Sequence, residues 1–336
     1  MGQSTLYALN DVVLEFHSEG TGHGEIDRLL EELSWAAIRN SSYQPALYLS
    51  VRSNSGRFRI PQICREVLRT DDFLGFELDD NFFLTDGSSV FHLRPQLGEA
   101  CAWVVPGFFR KPAMTQANFW CFGLLKLLRP LGIYSLHAAA LASETGEGLL
   151  LVGPSGSGKS TLAIGLIRQG WRYLSDDAVL LRYGSAGVEA LACRRSFYID
   201  SASSGSYSDL SLGDEEPDSG GGRRRRLGIN ETYPEQYVAR CLPRIVIFPQ
   251  ITGQDESSLS SVDHVTGLRI LLAQSAPQLF DRYTMSGHLE LLKRLLQQSE
   301  TYELNAGIDL YRQPAKMIDL LREARGVGTC RVSSSN

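Results

Sequence analysis

Residues 148–161 read GLLLVGPSGSGKST, and this stretch decides the fold of the chain. Its Gly153, Gly158 and Lys159 have the G-x-x-x-x-G-K-[ST] spacing of a P-loop, a glycine-rich loop that binds phosphate groups. The apolar run within it predicts a short buried strand, and residues 160–169 predict a helix. Because the motif lies between a strand and a helix, its backbone N–H groups and the helix N-terminus would face a triphosphate.

The residues of this loop have predicted roles in holding ATP and Mg²⁺. The glycines let the backbone approach the phosphates closely. The Lys159 ammonium would contact the β- and γ-phosphate oxygens, and the Ser160 hydroxyl would bind Mg²⁺. A chance glycine-rich turn is the alternative, and the strand–loop–helix context argues against it. The predicted nucleotide-binding residues of the loop are Gly153, Pro154, Ser155, Gly156, Ser157, Gly158, Lys159, Ser160 and Thr161.

Two adjacent carboxylates, Asp176 and Asp177, follow 17 and 18 positions after Lys159. One helix, one turn and one strand fit this distance. The pair should therefore lie at the carboxyl end of a strand next to the P-loop strand, where ligands of open α/β sheets bind. Neighbouring carboxylates repel each other unless they share a cation or a proton. We predict that one holds Mg²⁺ and the other accepts a proton from an attacking hydroxyl; a solvated turn is the alternative.

His137 lies in an apolar run, residues 133–141, that predicts the strand before the P-loop strand. A histidine in such a run is often a core residue with satisfied hydrogen bonds. The alternative is a functional group that contacts the γ-phosphate, the metal or the catalytic aspartate.

Residues 201–226 are rich in Ser, Gly and acidic residues, which predicts a mobile surface loop. The loop ends in an arginine run. Arg224 and Arg226 could close over a phosphate, or the run could be a solvated charge cluster. Arg194 and Arg195 are weaker candidates of the same kind.

Composition excludes several classes of protein. The chain has 336 residues, of which 43% are hydrophobic and 21% charged, which is typical of a globular protein. The net charge of -5 argues against a nucleic-acid partner. The six cysteines lack metal-ligand spacing and indicate reduced thiols. No apolar run is long enough to span a membrane and the N-terminus lacks a signal-peptide pattern, so we expect a cytoplasmic protein without a membrane partner.

Hydrophobic periodicity predicts the domain organisation. Residues 1–112 should form a β-rich domain that contains one helix, at 25–39. Residues 113–130 should form a connecting helix, and residues 131–325 the P-loop domain. Residues 326–336 should be a disordered tail. In the P-loop domain we also predict strands at 244–248 and 301–304 and helices at 264–274, 278–298 and 314–324.

The pattern around the P-loop excludes two common classes. The signature motif of transporter ATPases and the N-K-x-D motif of GTPases are both absent. Instead, the segments SLHAAA (135–140), GLLLVGPSGSGKST (148–161) and GWRYLSDD (170–177) resemble the catalytic domain of bacterial HPr kinase/phosphorylase. The resemblance is closer still to the HPr-kinase-like proteins of ribosomal-peptide gene clusters, including lasso-peptide kinases.

The resemblance implies an α/β fold with a mixed-sheet core of the phosphoenolpyruvate carboxykinase/HPr kinase type and a small N-terminal β-rich domain. It implies ATP- and Mg²⁺-dependent phosphorylation of a hydroxyl, commonly a serine, by a homo-oligomer. Lys159 and Ser160 would hold phosphates and Mg²⁺, His137 would lie near the phosphates, Asp176 would be the base, and Asp177 would support the metal. Thr161 stands where HPr kinases have a glutamate, so we expect a substrate other than HPr and no reverse phosphorylase reaction.

Three functions remain open at this point. The first is a kinase that acts on a serine of a peptide or protein. The second is a kinase for a small molecule such as a sugar, a polyol or a hydroxy acid, because the same site chemistry serves these acceptors. The third is a nucleotide-dependent binding module, which has little need of both aspartates.

Overall fold

The computed structural model describes residues 3–19, 23–39, 43–53, 58–194, 196–201, 209–217, 222–275 and 281–326. Within these residues the chain forms two large mixed sheets, a small three-stranded sheet and several helices. The predicted α/β class with a mixed-sheet core is confirmed. The predicted domain boundaries remain predictions.

The first sheet uses the N-terminal third of the chain. Its strands are Gln3–Leu9 (β1), Val12–Glu19 (β2), Ala36–Ile38 (β3), Leu47–Ser53 (β4), Arg65–Arg69 (β5), Leu74–Leu78 (β6), Asn81–Thr85 (β7), Val90–Arg94 (β8) and Glu99–Val104 (β9). Their order is β3-β1-β2-β4-β9-β8-β7-β6-β5, and β4 is parallel to both neighbours. Leu47, Leu49 and Val51 are buried while Tyr48 is exposed, so the predicted alternation places one face of the sheet on a core.

Two helices, His23–Glu32 (α1) and Ala113–Leu128 (α2), belong to the core on this face. The predicted helix at 25–39 is too long. Ser34 has a left-handed φ of 65°, and β3 then pairs with β1, so strand pairing overrides the helical spacing that continues to Ala37. The helix predicted at 113–130 is present as α2, and its connecting role stays a prediction. Its core continues to Leu180 and Leu191 of the second sheet.

The rest of the chain supplies the other two sheets. Its strands are Tyr134–Leu136 (β10), Ala138–Ala142 (β11), Glu147–Val152 (β12), Arg172–Ser175 (β13), Val179–Gly184 (β14), Gly187–Ala192 (β15), Phe197–Asp200 (β16), Leu212–Pro217 (β17), Arg223–Leu227 (β18), Arg240–Ile251 (β19), Ser258–Ser261 (β20) and Glu300–Ala306 (β21). The second sheet has the order β10-β14-β15-β19-β12-β11-β13, and β21 pairs with β19 and β20. The P-loop strand β12 is parallel to β19 and antiparallel to β11.

Two predictions about this sheet are wrong. The strand predicted at 133–141 is two strands, β10 and β11, with His137 at the break between them. The strand that carries the aspartate pair, β13, pairs with β11 and not with the P-loop strand. Chain order does not reveal this arrangement, because the turn at 143–146 folds β12 back along β11 as a hairpin and leaves the opposite edge of β11 to β13.

The three-stranded sheet has the order β16-β18-β17 and corrects the predicted loop at 201–226. The arginine run lies in β18, where Arg225 pairs with Ile199 on one side and Glu215 on the other. This segment is ordered although its composition is polar, because its strands pair and because Leu210 and Leu227 are buried in the core. Residues 202–208 and 218–221 lie outside the described residues.

The remaining helices are Lys159–Ile167 (α3), Ile229–Thr232 (α4), His264–Ala273 (α5), Met285–Gln298 (α6), Ile308–Arg312 (α7) and Lys316–Ala324 (α8). The predicted helices at 264–274, 278–298 and 314–324 correspond to α5, α6 and α8. Residues 276–280 and the predicted tail from 327 onwards lie outside the described residues. In the part of the chain that the structure describes, every helix is too short or too polar to cross a membrane.

Candidate functional site

The glycine-rich loop connects the buried strand β12 to α3, which begins at Lys159. Gly156 and Gly158 have left-handed φ values of 81° and 93°, which side chains rarely adopt. A Cβ atom at Gly153 would lie 2.8 Å from the Ser157 hydroxyl oxygen. The glycines are therefore required by the backbone path of the loop itself.

Lys159 is folded back across this loop. Its Nζ donates hydrogen bonds to the carbonyl oxygens of Gly153, at 2.7 Å, and Pro154, at 2.9 Å. The side chain is only 5% exposed. Burial lowers the pKa of Lys159, and the negative charges of Asp176 and Asp177 oppose that shift. The ammonium is thus held at the loop by two weak acceptors that a phosphate can replace.

Asp176 faces the start of α3. The Ser160 hydroxyl donates a 2.7 Å hydrogen bond to its Oδ2, while its Oδ1 is buried and has no partner among the described residues. Burial raises the pKa of Asp176 to about 6, although the Ser160 hydrogen bond opposes the shift. A buried carboxylate with an unpaired oxygen is a site where a cation would be stabilised.

Asp177 turns away from Asp176 because its own backbone is left-handed, with φ 66°. Its Oδ1 lies 3.1 Å from His137 Nε2, and its Oδ2 accepts a 2.5 Å hydrogen bond from Arg194 Nη1. Desolvation opposes ionisation, but the His137 hydrogen bond and the Arg194 charge hold the pKa of Asp177 well below its usual range. The two adjacent carboxylates therefore have different partners, and their pKa values are shifted in opposite directions.

His137 and Arg194 are themselves fixed by distant residues. The His137 backbone N–H donates to the Gln274 carbonyl at 2.7 Å, and its Nδ1 lies 3.2 Å from Gln274 Oε1. Arg194 is 3% exposed, and its Nη2 donates to Asn118 Oδ1 at 2.7 Å. Sequence reasoning missed Gln274 and Asn118, which belong to no motif. It gave Arg194 and Arg195 only as weaker phosphate-binding candidates. The structure pairs Arg194 with Asp177, and Arg195 lies outside the described residues.

The arginine run contributes one of its two predicted residues to the loop. Arg224 Nη2 donates to the Ser155 hydroxyl at 2.8 Å. Arg226 does not reach the loop; its Nε donates at 3.1 Å to Ser196, which in turn donates to Glu32. In this structure Arg226 therefore lies beside β16 instead of the loop, and its predicted contact with a phosphate stays a prediction.

Two adjacent cavities meet at the His137–Asp177 pair. A cleft of about 340 Å³ is lined by the P-loop, Asp176, Arg224 and the pair. A second pocket of about 330 Å³ lies towards α2, and the pair lines it as well. Of the predicted loop residues, Gly153, Pro154 and Ser157 do not line the cleft.

The donor set at Ser160 and Asp176 suits Mg²⁺. Among the described residues there is no cluster of three or more His, Cys, Asp or Glu side chains that could hold a metal by themselves. Mg²⁺ does not require one, since it is usually bound by one or two carboxylates together with substrate phosphates and water. The unpartnered Oδ1 of Asp176 beside the Ser160 hydroxyl fits that pattern.

Comparison with known proteins points to one family. The chain is 40% identical over 68 residues to an HPr kinase/phosphorylase of Chlorobium chlorochromatii (strain CaD3), a stretch that covers 20% of each protein. It is 31% identical over 77 residues to an HPr kinase/phosphorylase of Chlorobium phaeobacteroides (strain BS1), covering 23% of this chain and 22% of the relative. The chain is HPr kinase-like. The predicted resemblance is confirmed at that level, and the link to lasso-peptide clusters stays a prediction.

These matches are partial. The HPr kinase-like chain aligns with only about a fifth of the length of either curated relative. No family model matches it. The structure of the HPr(Ser) kinase/phosphatase from Coxiella burnetii aligns with 57% of this chain and 97% of its own, at 13% identity and a TM-score of 0.29.

Proposed function

We propose that this protein is an ATP- and Mg²⁺-dependent kinase that transfers the γ-phosphoryl group to a hydroxyl, most simply a serine of a peptide or protein. The observation that carries the proposal is the arrangement of Lys159, Asp176 and Asp177 on one cleft, with the second pocket on the far side of Asp177. A phosphoryl-transfer site needs a triphosphate site and an acceptor site that meet at a carboxylate.

Lys159 and the loop amides would hold the triphosphate. Its Nζ would leave the carbonyl oxygens of Gly153 and Pro154 for the phosphate oxygens. Arg224, which already contacts Ser155, would add a second positive charge over the same group. Charge placed here stabilises the transferring group as it separates from ADP.

Ser160 and Asp176 would hold Mg²⁺, which supplies positive charge to the β- and γ-phosphate oxygens when bound. This differs from the assignment of Asp176 as base and Asp177 as metal ligand that the resemblance implies. The Ser160–Asp176 hydrogen bond and the unpartnered Oδ1 favour the opposite division. Burial raises the pKa of Asp176 even though the Ser160 hydrogen bond and the Lys159 charge oppose the shift, and a cation bound to this carboxyl would lower the pKa.

Asp177 would orient the acceptor hydroxyl and receive its proton. The hydroxyl oxygen forms a bond to the γ-phosphorus, the bond from that phosphorus to the β–γ bridging oxygen breaks, and ADP leaves with the electron pair. A carboxylate with a lowered pKa is a weak base, but transfer through a loose transition state demands mainly orientation, and the proton leaves late. His137 and Arg194 hold Asp177 in place for that role.

The acceptor class rests on the relatives. The matched relatives are named HPr kinase/phosphorylase, and HPr is a protein. A protein or peptide hydroxyl is therefore the first acceptor to test, ahead of a sugar, a polyol or a hydroxy acid. A non-catalytic, nucleotide-dependent binding module is the third choice, because it leaves the His137–Asp177 pair without a purpose. A cytoplasmic location and a homo-oligomeric state remain predictions.

The test is incubation with ATP and Mg²⁺ and a panel of acceptors: peptides encoded by neighbouring genes, HPr, and a set of polyols and hydroxy acids. We expect one phosphate to be gained by a peptide, detected by mass spectrometry, with equivalent ADP release. Asp176→Asn should raise the Mg²⁺ concentration needed for half-maximal rate, whereas Asp177→Asn should lower kcat at unchanged Mg²⁺ requirement. Failure to bind ATP, or ATP binding without transfer to any acceptor, would remove the kinase assignment.

A further inference from the structure

The second pocket differs in chemistry from the cleft beside it. The pocket is lined by the large apolar side chains of Phe122 and Leu125 from α2 and of Leu136 from β10. At one end lie His137 and Asp177, which line both cavities. A group in this pocket would therefore be in contact with the carboxylate that faces the phosphate site.

The positive charge of Arg194, which lines this pocket, is already neutralised by Asp177. Arg194 lines it, but its Nη1 donates to Asp177 and its Nη2 to Asn118. The pocket consequently offers no unpaired cation to attract a second anion, among the residues that the structure describes. This argues against a phosphorylated or carboxylate-rich acceptor.

Two amide groups remain as donors at the rim of the pocket. Asn118 uses its Oδ1 to accept from Arg194, and Gln274 presents its Oε1 to His137. Each side chain keeps an NH₂ group, for which the described part of the chain supplies no acceptor. Peptide carbonyl oxygens are suitable partners for such donors.

We propose that this pocket binds an apolar side chain next to the acceptor hydroxyl, so that the substrate is a serine- or threonine-type hydroxyl in a peptide with an apolar neighbour. The proposal rests on the proposed kinase function and narrows its substrate class. A polyol would lose water from several hydroxyls against Phe122, Leu125 and Leu136 without new hydrogen bonds there. An apolar side chain gains by the same burial.

The size of the pocket agrees with this class. Its volume of about 330 Å³ lies near the lower end of the range of roughly 300–1,000 Å³ for ligand pockets. It admits one large side chain and adjacent backbone.

The probes are two acetylated pentapeptide amides with a central serine, flanked on both sides by leucine in one and by glycine in the other. ADP and Mg²⁺ binding is measured first by calorimetry. Peptide binding to the ADP-loaded protein is then measured by ligand-observed NMR. We expect the leucine peptide to bind at least about tenfold more tightly than the glycine peptide.

Single-residue variants test whether the preference for the leucine peptide arises in this pocket. Ala273 lines the pocket and is solvent-exposed at the end of α5, so Ala273→Phe fills the pocket without disturbing a core. It should remove the preference for leucine. Val265→Phe, at an 81% exposed position of the same helix outside the pocket lining, should keep it. Phe122→Ala should reduce the preference, whereas Phe109→Ala, a similarly half-buried phenylalanine outside the pocket lining, should not.

The outcomes separate the two proposals. If ADP binds but the peptides bind equally, or neither binds, or Ala273→Phe and Phe122→Ala leave the preference intact, the pocket assignment is overturned while the kinase proposal stands. If nucleotide does not bind at all, the kinase proposal fails and the pocket assignment fails with it.

Discussion

The P-loop cleft and the pocket beside α2 are nearly equal in volume, about 340 and 330 Å³, but opposite in chemistry. Lys159, Asp176 and Arg224 make the cleft charged, whereas phenylalanine and leucine side chains form much of the pocket. His137 and Asp177 line both cavities. Two adjacent aspartates consequently meet different environments, and their pKa values are pushed apart, upwards for Asp176 and downwards for Asp177. Such a separation is the physical basis for giving two neighbouring carboxylates different roles.

The largest expected effect on activity comes from a substitution at Asp177, which lines both cavities. Asp177→Asn should lower kcat by a factor of about 10²–10⁴, because the acceptor hydroxyl loses its orienting carboxylate. Steady-state kinetics measure this, with circular dichroism as a check because Arg194 loses a charged partner. The control is Asp209→Asn, an exposed aspartate paired with Arg168. Activity within twofold of wild type would show that Asp177 has no part in the reaction.

The second prediction concerns a substitution of Lys159, which lines the cleft but not the second pocket. Lys159→Ala should lower kcat/KM for ATP by a factor of roughly 10²–10³, since one preorganised charge on the transferring group is removed. Peptide binding in the second pocket should be unchanged in the presence of ADP if ADP still saturates the protein. Lys293→Ala, an exposed lysine near Glu290, is the matched control. Equal losses in both variants would contradict the assigned role.

The third prediction concerns stability and its pH dependence. The folded-state pKa of Asp176 is raised from 3.8 to about 6, so ionisation of this buried carboxyl opposes folding above pH 6. Asp176→Asn should therefore increase the free energy of unfolding of the nucleotide-free protein at pH 8 by roughly 3 kcal/mol. The gain should shrink between pH 6 and pH 4, where the wild-type carboxyl is protonated.

Thermal or denaturant unfolding of wild type and Asp176→Asn at pH 8 and pH 4 measures this difference. Asp214→Asn, at an exposed aspartate, serves as control for the loss of one negative charge. A variant that is less stable than wild type at pH 8 would mean that the charged Asp176 stabilises the empty site.

The smallest expected effect distinguishes Arg224 from Arg226, which both lie in β18. Arg224→Ala should raise the KM for ATP about three- to tenfold, because Arg224 contacts Ser155 of the loop. Arg226→Ala should leave it unchanged, since Arg226 bonds to Ser196 instead. Equal effects of the two variants would show that β18 changes position when nucleotide binds.

Much of the nucleotide half of the site could be predicted from the sequence. The strand, the loop and the start of α3 follow one another within residues 147–167, so local spacing and glycine positions were sufficient. The fold class and the kinase-type resemblance followed from the same stretch and the aspartate pair. The helix at 25–39 and the loop at 201–226 were wrong because strand pairing overrode local periodicity and composition.

The acceptor half could not be predicted in the same way. His137 and Gln274 are 137 positions apart, and Arg194 and Asn118 are 76 apart, so no local pattern connects them. Their convergence depends on the break between β10 and β11 and on the packing of α2 and α5 around it. The second pocket is a product of that packing.

By itself, the sequence determined the glycine-rich loop between β12 and α3, because the motif spacing and the glycines that adopt left-handed φ values lie within a few residues of one another. The tertiary structure decided what each aspartate faces. Asp176 and Asp177 are neighbours with identical side chains, and only the left-handed φ of 66° at Asp177 and the long-range partners His137, Arg194 and Ser160 distinguish them. Burial raises the pKa of Asp176, whereas the His137 hydrogen bond and the Arg194 charge lower the pKa of Asp177. These environments exist only once the strands have paired.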